Sequence, residues 1–123
     1  MDVLITLPEK YIRAILKGYK IYEMRKSIPM RLSYMDRVYV VEKGSNMVRL
    51  SFKCKTFYRL LVKDVDNYWA NKNVNITTAE LKIYAGKRQS LYFWLIENPR
   101  VESLTIQQLN VRKNPQSYIY INP

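Results

Sequence analysis

A predicted β-hairpin in the first half of the chain constrains the fold more than any other feature. The run RVYVVE (residues 37–42) is rich in β-branched residues, and the turn sequence GSN (residues 44–46) separates it from MVRLSFKCKTFY (residues 47–58). In the second run, polar or basic side chains alternate with apolar ones: Arg49, Ser51, Lys53 and Lys55. We therefore expect a strand with one basic and polar face and one face that packs on a core.

The segment before the hairpin predicts a strand, a helix and a second strand. VLIT (residues 3–6) is typical of a short strand, and Pro8 suits the first turn of a helix with an apolar stripe at Ile12, Ile15 and Leu16. Gly18 is placed to end that helix with a left-handed conformation. The next residues, 21–25, are expected to be extended, which puts Ile21, Glu23 and Arg25 on one face and Tyr22 and Met24 on the other.

The second half predicts two helices and two strands. A short helix is expected after Asp64 or Asp66, and Thr77 with Glu80 has capping-box spacing for a helix that Gly86 ends. SLYFWLIEN (residues 90–98) predicts a central strand that ends at Pro99, residues 103–109 predict one or two helical turns, and SYIYI predicts a last strand. The sequence thus indicates one α+β domain, residues 1–123, with five or six strands, about three short helices and a curved or closed sheet.

The charge balance favours a polyanion as partner. The chain has 21 Lys and Arg against 10 Asp and Glu, a net charge of +11, and residues 1–63 hold 14 of the basic and 5 of the acidic side chains. Such a balance attracts nucleic acid through phosphate contacts and counterion release. The eleven Tyr and two Trp include rings that could stack on unpaired bases, although most are expected in the core.

Several kinds of chemistry are excluded by residues that the chain lacks. With no histidine and one cysteine, histidine-based triads and the common zinc ligand sets are impossible, so we expect no metal and no cofactor. No glycine-rich phosphate-binding loop is present. No apolar run approaches a membrane span, the N-terminus does not resemble a secretory signal, and Cys54 has no partner, which together predict a cytoplasmic protein.

The stretch KGYKIYEMRK (residues 17–26) concentrates basic residues around one glutamate. It contains Lys17, Lys20, Arg25 and Lys26 with Glu23. A carboxylate beside an arginine either orients the guanidinium for an anionic ligand or pairs with it. In the second interpretation Glu23 and Arg25 form a surface ion pair worth about 0–1 kcal/mol without a function.

Four residues of this stretch, Gly18, Lys20, Glu23 and Arg25, form the pattern G-x-K-x-x-E-x-R, which resembles the ASCH domain of the PUA-like superfamily. The resemblance implies a small β-barrel of mostly antiparallel strands flanked by helices, with a cleft near the motif that binds RNA or other nucleic acid. It implies that Lys20 and Arg25 engage a phosphate or a base edge while Glu23 aligns Arg25. The flanking basic residues would extend the phosphate contacts: Lys17, Lys26, Arg49, Lys53 and Lys55.

The same resemblance leaves an enzymatic alternative. Some ASCH-like proteins are amidohydrolases that act on N4-acetylcytidine, and they share the motif lysine, here Lys20, and a helix glutamate, here Glu80. Their threonine nucleophile is replaced by Glu23, which offers no hydroxyl. Tyr22 or Ser27 could replace that nucleophile only if the backbone re-aimed its side chain. Other members cleave RNA, for which Lys20 with Tyr19 or Tyr22 is the candidate set. Glu80 also has a purely structural role as the capping partner of Thr77.

Three functions therefore follow from the sequence. The first is a non-catalytic RNA-binding module, the second is metal-independent hydrolysis or RNA cleavage in the same cleft, and the third is a protein-interaction or inhibitor role of the basic face.

Overall fold

The computed structural model describes residues 1–121, in which eight strands and three α-helices are formed. The mixed α+β class predicted from the sequence is confirmed. In chain order the elements are β1 (Asp2–Leu7), α1 (Glu9–Leu16), β2 (Tyr22–Arg25), β3 (Val38–Glu42), β4 (Met47–Lys53), β5 (Phe57–Leu61), α2 (Asn67–Val74), α3 (Thr78–Ala85), β6 (Ser90–Leu95), β7 (Glu97–Thr105) and β8 (Tyr118–Ile121). Single 3-10 turns span Val62–Asp64 and Ile106–Leu109.

The strands form two sheets that pack on each other. The larger sheet has the order β7-β4-β3-β1-β8, and the smaller has the order β2-β6-β5. Strands β1 and β3 are parallel, while the other pairs are antiparallel. Trp94 and Ile96 lie in the core with the inner face of the larger sheet, to which α1 adds Ile12 and Ile15. Helices α2 and α3 cover the outer face of the smaller sheet.

The structure has more strands than the five or six expected, because two segments that were each predicted as one strand are divided between the sheets. Residues 47–58 were expected as one strand, but the chain leaves β4 after Lys53 and enters the other sheet at Phe57. The run predicted as one strand over residues 90–98 changes sheets at Ile96. Alternation of apolar and polar residues reports which side is buried, and it carries no signal for a change of hydrogen-bonding partner.

Two further predictions differ from the structure. The strand does not end at Pro99, and only part of residues 103–109 is helical. Pro99 lies inside β7, which is an edge strand, so its missing N–H removes no bond that the sheet needs. Residues 103–105 continue β7, and the 3-10 turn Ile106–Leu109 is the helical part. Ser51, expected on an exposed face, is fully buried, because its hydroxyl accepts a hydrogen bond from Arg37 and donates one to Glu102.

The predicted helix ends and the hairpin agree with the structure. Asp66 caps α2 by accepting a hydrogen bond from the backbone N–H of Trp69 at 2.7 Å, and Gly86 follows the last residue of α3. Strands β3 and β4 pair as the predicted antiparallel hairpin. None of the helices formed by residues 1–121 is long and apolar enough to cross a membrane.

Candidate functional site

The site begins at the end of α1, where the chain reverses direction. Gly18 adopts φ +80°, its N–H donates to the carbonyl of Ile15 at 3.1 Å, and the N–H of Tyr19 donates to Ala14 at 2.8 Å. These two bonds form the motif that ends many helices with a left-handed glycine. The N–H of Lys20 then also donates to Ala14, at 3.2 Å. The reversal therefore places Lys20 alongside α1 rather than beyond its end.

Lys20, Glu23 and Arg25 form a buried cluster, here called the ionic triad. Lys20 Nζ lies 3.2 Å from Glu23 Oε1, and Arg25 contacts Glu23 Oε2 through Nη2 at 2.8 Å and Nε at 3.0 Å. The three residues are 4%, 3% and 8% exposed. Glu23 and Arg25 are adjacent on one face of β2, as the sequence predicted, but the pair is buried and is not the surface ion pair of the alternative interpretation.

The triad connects four parts of the fold. Lys20 Nζ donates to the carbonyl of Val74 at the end of α2, at 3.2 Å, and lies 5.1 Å from the ring centroid of Tyr11. Arg25 donates to the carbonyl of Thr6 through Nη2 at 3.2 Å and to that of Ser117 through Nη1 at 3.1 Å. Within residues 1–121 no buried side-chain nitrogen or oxygen lacks a hydrogen-bond partner. These bonds offset the large cost of removing three charges from water.

The charges of the triad sum to one positive charge. Burial lowers the pKa of Lys20, and the charge of Arg25 lowers it as well, whereas Glu23 opposes both effects. Burial acts to raise the pKa of Glu23, but the charges and hydrogen bonds of Lys20 and Arg25 outweigh it, so that this pKa is lowered. Glu23 is therefore ionised near neutral pH and compensates one of its two cationic neighbours.

Each cation of the triad has one N–H that is not used by these contacts. An ammonium carries three N–H groups, and Lys20 directs two of them to Glu23 and Val74. A guanidinium carries five, and Arg25 uses four for Glu23, Thr6 and Ser117. Both side chains line the cleft described next.

A cleft of about 410 Å³ opens above the ionic triad, and we call it the triad cleft. Its walls contain side chains that the sequence did not assign to a site: Tyr11, Lys43, Tyr84 and Gln116. These residues are distant from the motif in sequence, so no local pattern connects them with it. Within residues 1–121 no group of three or more His, Cys, Asp or Glu side chains could hold a metal ion.

Of the residues predicted to bind nucleic acid, the structure gathers three in the triad cleft: Lys20, Glu23 and Arg25. Lys26 does not line the cleft, but its Nζ lies 4.9 Å from the ring centroid of Tyr84, which does. Lys17 and Arg49 instead line a separate groove of about 200 Å³ on α1, where Arg49 pairs with Glu42 at 2.6 Å. Lys53 and Lys55 do not line the triad cleft.

The tyrosine proposed for catalysis lies on the opposite side of β2. The ring of Tyr22 contacts Tyr58 at a centroid distance of 5.9 Å and Trp69 at 5.5 Å, in the layer between the smaller sheet and α2. Tyr19 is 65% exposed, and neither it nor Ser27 lines the triad cleft. The phenols that do line the cleft are those of Tyr11 and Tyr84.

Glu80 caps α3 and also lines the triad cleft. Its Oε1 accepts hydrogen bonds from the N–H and the hydroxyl of Thr77 at 3.1 and 3.2 Å, which confirms the capping box. The same side chain lines the triad cleft. Its Oε2 accepts no hydrogen bond from residues 1–121 and remains available to a ligand.

Solved structures share this fold at low sequence identity. The S-to-A variant of ZmASCH from Zymomonas mobilis superposes with a TM-score of 0.82 at 15% identity, over 98% of this chain and 88% of that one. ASCH from Zymomonas mobilis gives 0.80 at 16% identity, over 98% and 87%. The hypothetical protein PH0355 gives 0.56 at 21% identity, over 79% of this chain and 98% of that one. No protein-family model and no curated protein matches the chain.

These likenesses show the fold. The chain has the fold of these ASCH structures, as the resemblance of the motif implied, with a barrel-like pair of sheets rather than a closed barrel.

Proposed function

We propose that this chain, which has the ASCH fold, is an RNA-binding module whose binding site is the triad cleft. The observation that carries the proposal is the ionic triad: two buried cations with one buried anion, at the floor of a cleft, in a protein of net charge +11. A buried positive charge with uncommitted N–H groups favours an anionic ligand, because the ligand supplies the missing counter-charge.

The dimensions and walls of the cleft suit one nucleotide. Its volume of about 410 Å³ lies within the range of roughly 300–1,000 Å³ that is common for small-ligand sites. Lys20 and Arg25 would hold a phosphate or a base edge, while Lys43 adds positive charge at the wall and Lys26 adds it nearby. Tyr11 and Tyr84 supply aromatic surface on which an unstacked base could rest.

The test is RNA binding by Lys20→Met, with Lys72→Met as the matched control. Lys20→Met leaves Glu23 paired with Arg25, so it removes the net charge of the triad without leaving a carboxylate unpaired. Lys72 is exposed on α2, does not line the triad cleft, and loses the same charge with the same substitution. The probe is a fluorescein-labelled pool of 12-nucleotide RNAs with randomised sequence, followed by fluorescence anisotropy at several salt concentrations.

We expect Lys20→Met to weaken binding about tenfold or more, since a lost hydrogen bond between charged groups is worth about 1.5–3 kcal/mol. Lys72→Met should bind within about twofold of the wild type. Circular dichroism establishes that both variants are folded. If the two variants bind RNA with equal affinity, the triad is not the binding site. If the wild type binds no RNA but co-purifies with a protein, the protein-interaction role is favoured.

A second candidate function, metal-independent hydrolysis or RNA cleavage, has one observation in its favour. Glu80 places an uncommitted carboxylate oxygen in the cleft that also contains Lys20. Glu23 is unsuited to act as nucleophile or base, because both cations hold its oxygens. If the protein degrades the RNA pool in EDTA and Glu80→Gln abolishes that activity, the enzymatic function is supported. Glu80→Gln with unchanged cleavage would contradict it.

A further inference from the structure

The segment before β8, residues 112–117, is held in place by side chains rather than by backbone pairing. We call this segment the strap. Within residues 1–121 its backbone N–H groups donate to no backbone carbonyl. Two side chains bind it instead: Thr6 Oγ1 donates to the carbonyl of Pro115 at 2.8 Å, and Arg25 Nη1 donates to that of Ser117 at 3.1 Å. One of the two bonds thus comes from the ionic triad.

The strap and β8 line a second cavity, the strap cavity, of about 850 Å³. Its charged lining consists of Arg112 and Lys113, and no Asp or Glu among residues 1–121 contributes to it. Both cations are exposed, and neither forms an ion pair with a carboxylate in the described chain. Concave shape, two free cations and uncommitted backbone N–H groups are the features of an anion site.

The strap cavity adjoins the triad cleft. Gln116 lines both, and Ser117, which lines the strap cavity, is bonded to Arg25 of the triad. A ligand in the triad cleft would therefore have a second positively charged cavity beside it.

We propose that the strap cavity is a second phosphate-binding site, which receives the nucleotide next to the one in the triad cleft. The ligand class is then a single-stranded oligonucleotide, and a free nucleoside or mononucleotide would occupy the triad cleft alone. In this arrangement Arg112 and Lys113 bind the backbone phosphate. The inference rests on the proposed function of the triad cleft and specifies its substrate.

The test compares two double variants that each remove two positive charges. Arg112→Gln/Lys113→Gln removes both charged side chains that line the strap cavity. The control, Lys72→Gln/Lys87→Gln, removes two exposed lysines that line neither the strap cavity nor the triad cleft. Each variant is titrated with the randomised 12-nucleotide RNA pool by anisotropy, and with cytidine monophosphate by NMR chemical-shift titration.

We expect Arg112→Gln/Lys113→Gln to lose roughly 10- to 30-fold in affinity for the RNA pool at 0.1 M salt. The slope of log K against log salt concentration should fall by about 0.7, the value for one phosphate contact on a single strand. Its affinity for cytidine monophosphate should remain within about twofold of the wild type. The Lys72→Gln/Lys87→Gln control should show less than a threefold loss with the RNA pool.

The experiment distinguishes a failure of the strap-cavity proposal from a failure of the triad-cleft proposal. If Arg112→Gln/Lys113→Gln binds the RNA pool like its control while Lys20→Met does not, the strap cavity is not a site and the triad cleft remains one. If the double variant loses affinity for the mononucleotide and the RNA pool equally, the strap supports the triad cleft only and the second site is refuted. If the wild type binds neither probe, both proposals are wrong.

Discussion

Glu23→Gln is expected to destabilise the protein strongly, because it removes the one negative charge between two buried cations. Glu23 is 3% exposed and contacts Lys20 at 3.2 Å and Arg25 at 2.8 Å. Glutamine has the same shape but leaves two like charges in the core without compensation. Removing one partner of a buried ion pair costs about 3–5 kcal/mol, which is a large part of the roughly 5–15 kcal/mol that stabilises a typical domain.

The assay is urea denaturation followed by the fluorescence of Trp69 and Trp94, with Glu9→Gln as control. Glu9 pairs with Arg13 on the exposed side of α1, where such a pair contributes about 0.3–0.5 kcal/mol. We expect Glu23→Gln to lower the free energy of unfolding by about 3–5 kcal/mol, and the melting temperature by about 10–20 °C for a chain of this size. A loss below about 1 kcal/mol, similar to that of Glu9→Gln, would refute the burial and coupling of the triad.

The same variant tests the direction of the pKa shift. The Glu23 pKa is lowered below its ordinary value of 4.5, so between that value and the folded pKa the unfolded chain binds more protons than the folded chain. The stability that Glu23 supplies is therefore present above pH 4.5 and is lost as the pH falls through the folded pKa. Unfolding curves between pH 6 and 3 should show a weaker acid dependence for Glu23→Gln. Parallel curves for the two proteins would contradict the assignment.

Three further predictions concern the rest of the fold. Thr77→Ala removes the capping box of α3 and should cost about 0.5–2 kcal/mol in urea denaturation, and a neutral effect would show that the cap does not stabilise the helix. Gly86→Ala should lower the free energy of unfolding by about 1–3 kcal/mol, because the backbone there has φ +61° and ψ −121°, which alanine adopts only with strain. Steric contact plays no part, since an added Cβ meets no atom within 4 Å, and an unchanged urea midpoint would contradict that backbone conformation. Burial raises the pKa of the Cys54 thiol to about 12, so iodoacetamide at pH 8 should label the urea-unfolded chain and leave the native protein unmodified.

Part of the site could be predicted from the sequence because it is local. The spacing of Glu23 and Arg25 on an extended segment fixed their common face, and Gly18 indicated the helix end that positions Lys20. The sequence could not predict that both sides of β2 are covered, with the charged residues on the more deeply buried side. Tyr22 and Met24 are the apolar residues of this strand, and burial of the alternating charged residues depends on carbonyl groups supplied by Thr6, Val74 and Ser117.

For the fold as well, the sequence predicted features that depend on neighbouring residues and missed those that depend on distant ones. Caps and the β3–β4 hairpin depend on neighbours within a few residues, and the sequence identified them. The division of two predicted strands between the sheets depends on which distant strand offers hydrogen bonds. The sequence therefore predicted neither the number of strands nor the position of Pro99 inside β7. For the same reason the sequence could not place the flanking basic residues relative to the cleft: Arg49 lies in the larger sheet, Lys55 lies in the connection to the smaller one, and neither lines the triad cleft.

The measurement that tests the central claim most directly is an NMR titration of the ¹⁵N-labelled wild type with the 12-nucleotide RNA pool. The Nε–H resonance of Arg25 is suited to it, because this group is buried and donates to Glu23. The account predicts that RNA shifts this resonance, together with the backbone amides of Lys20 and Gln116. Shifts confined to the basic residues outside the triad cleft, Arg49, Lys53 and Lys55, with the Arg25 resonance unchanged, would contradict it.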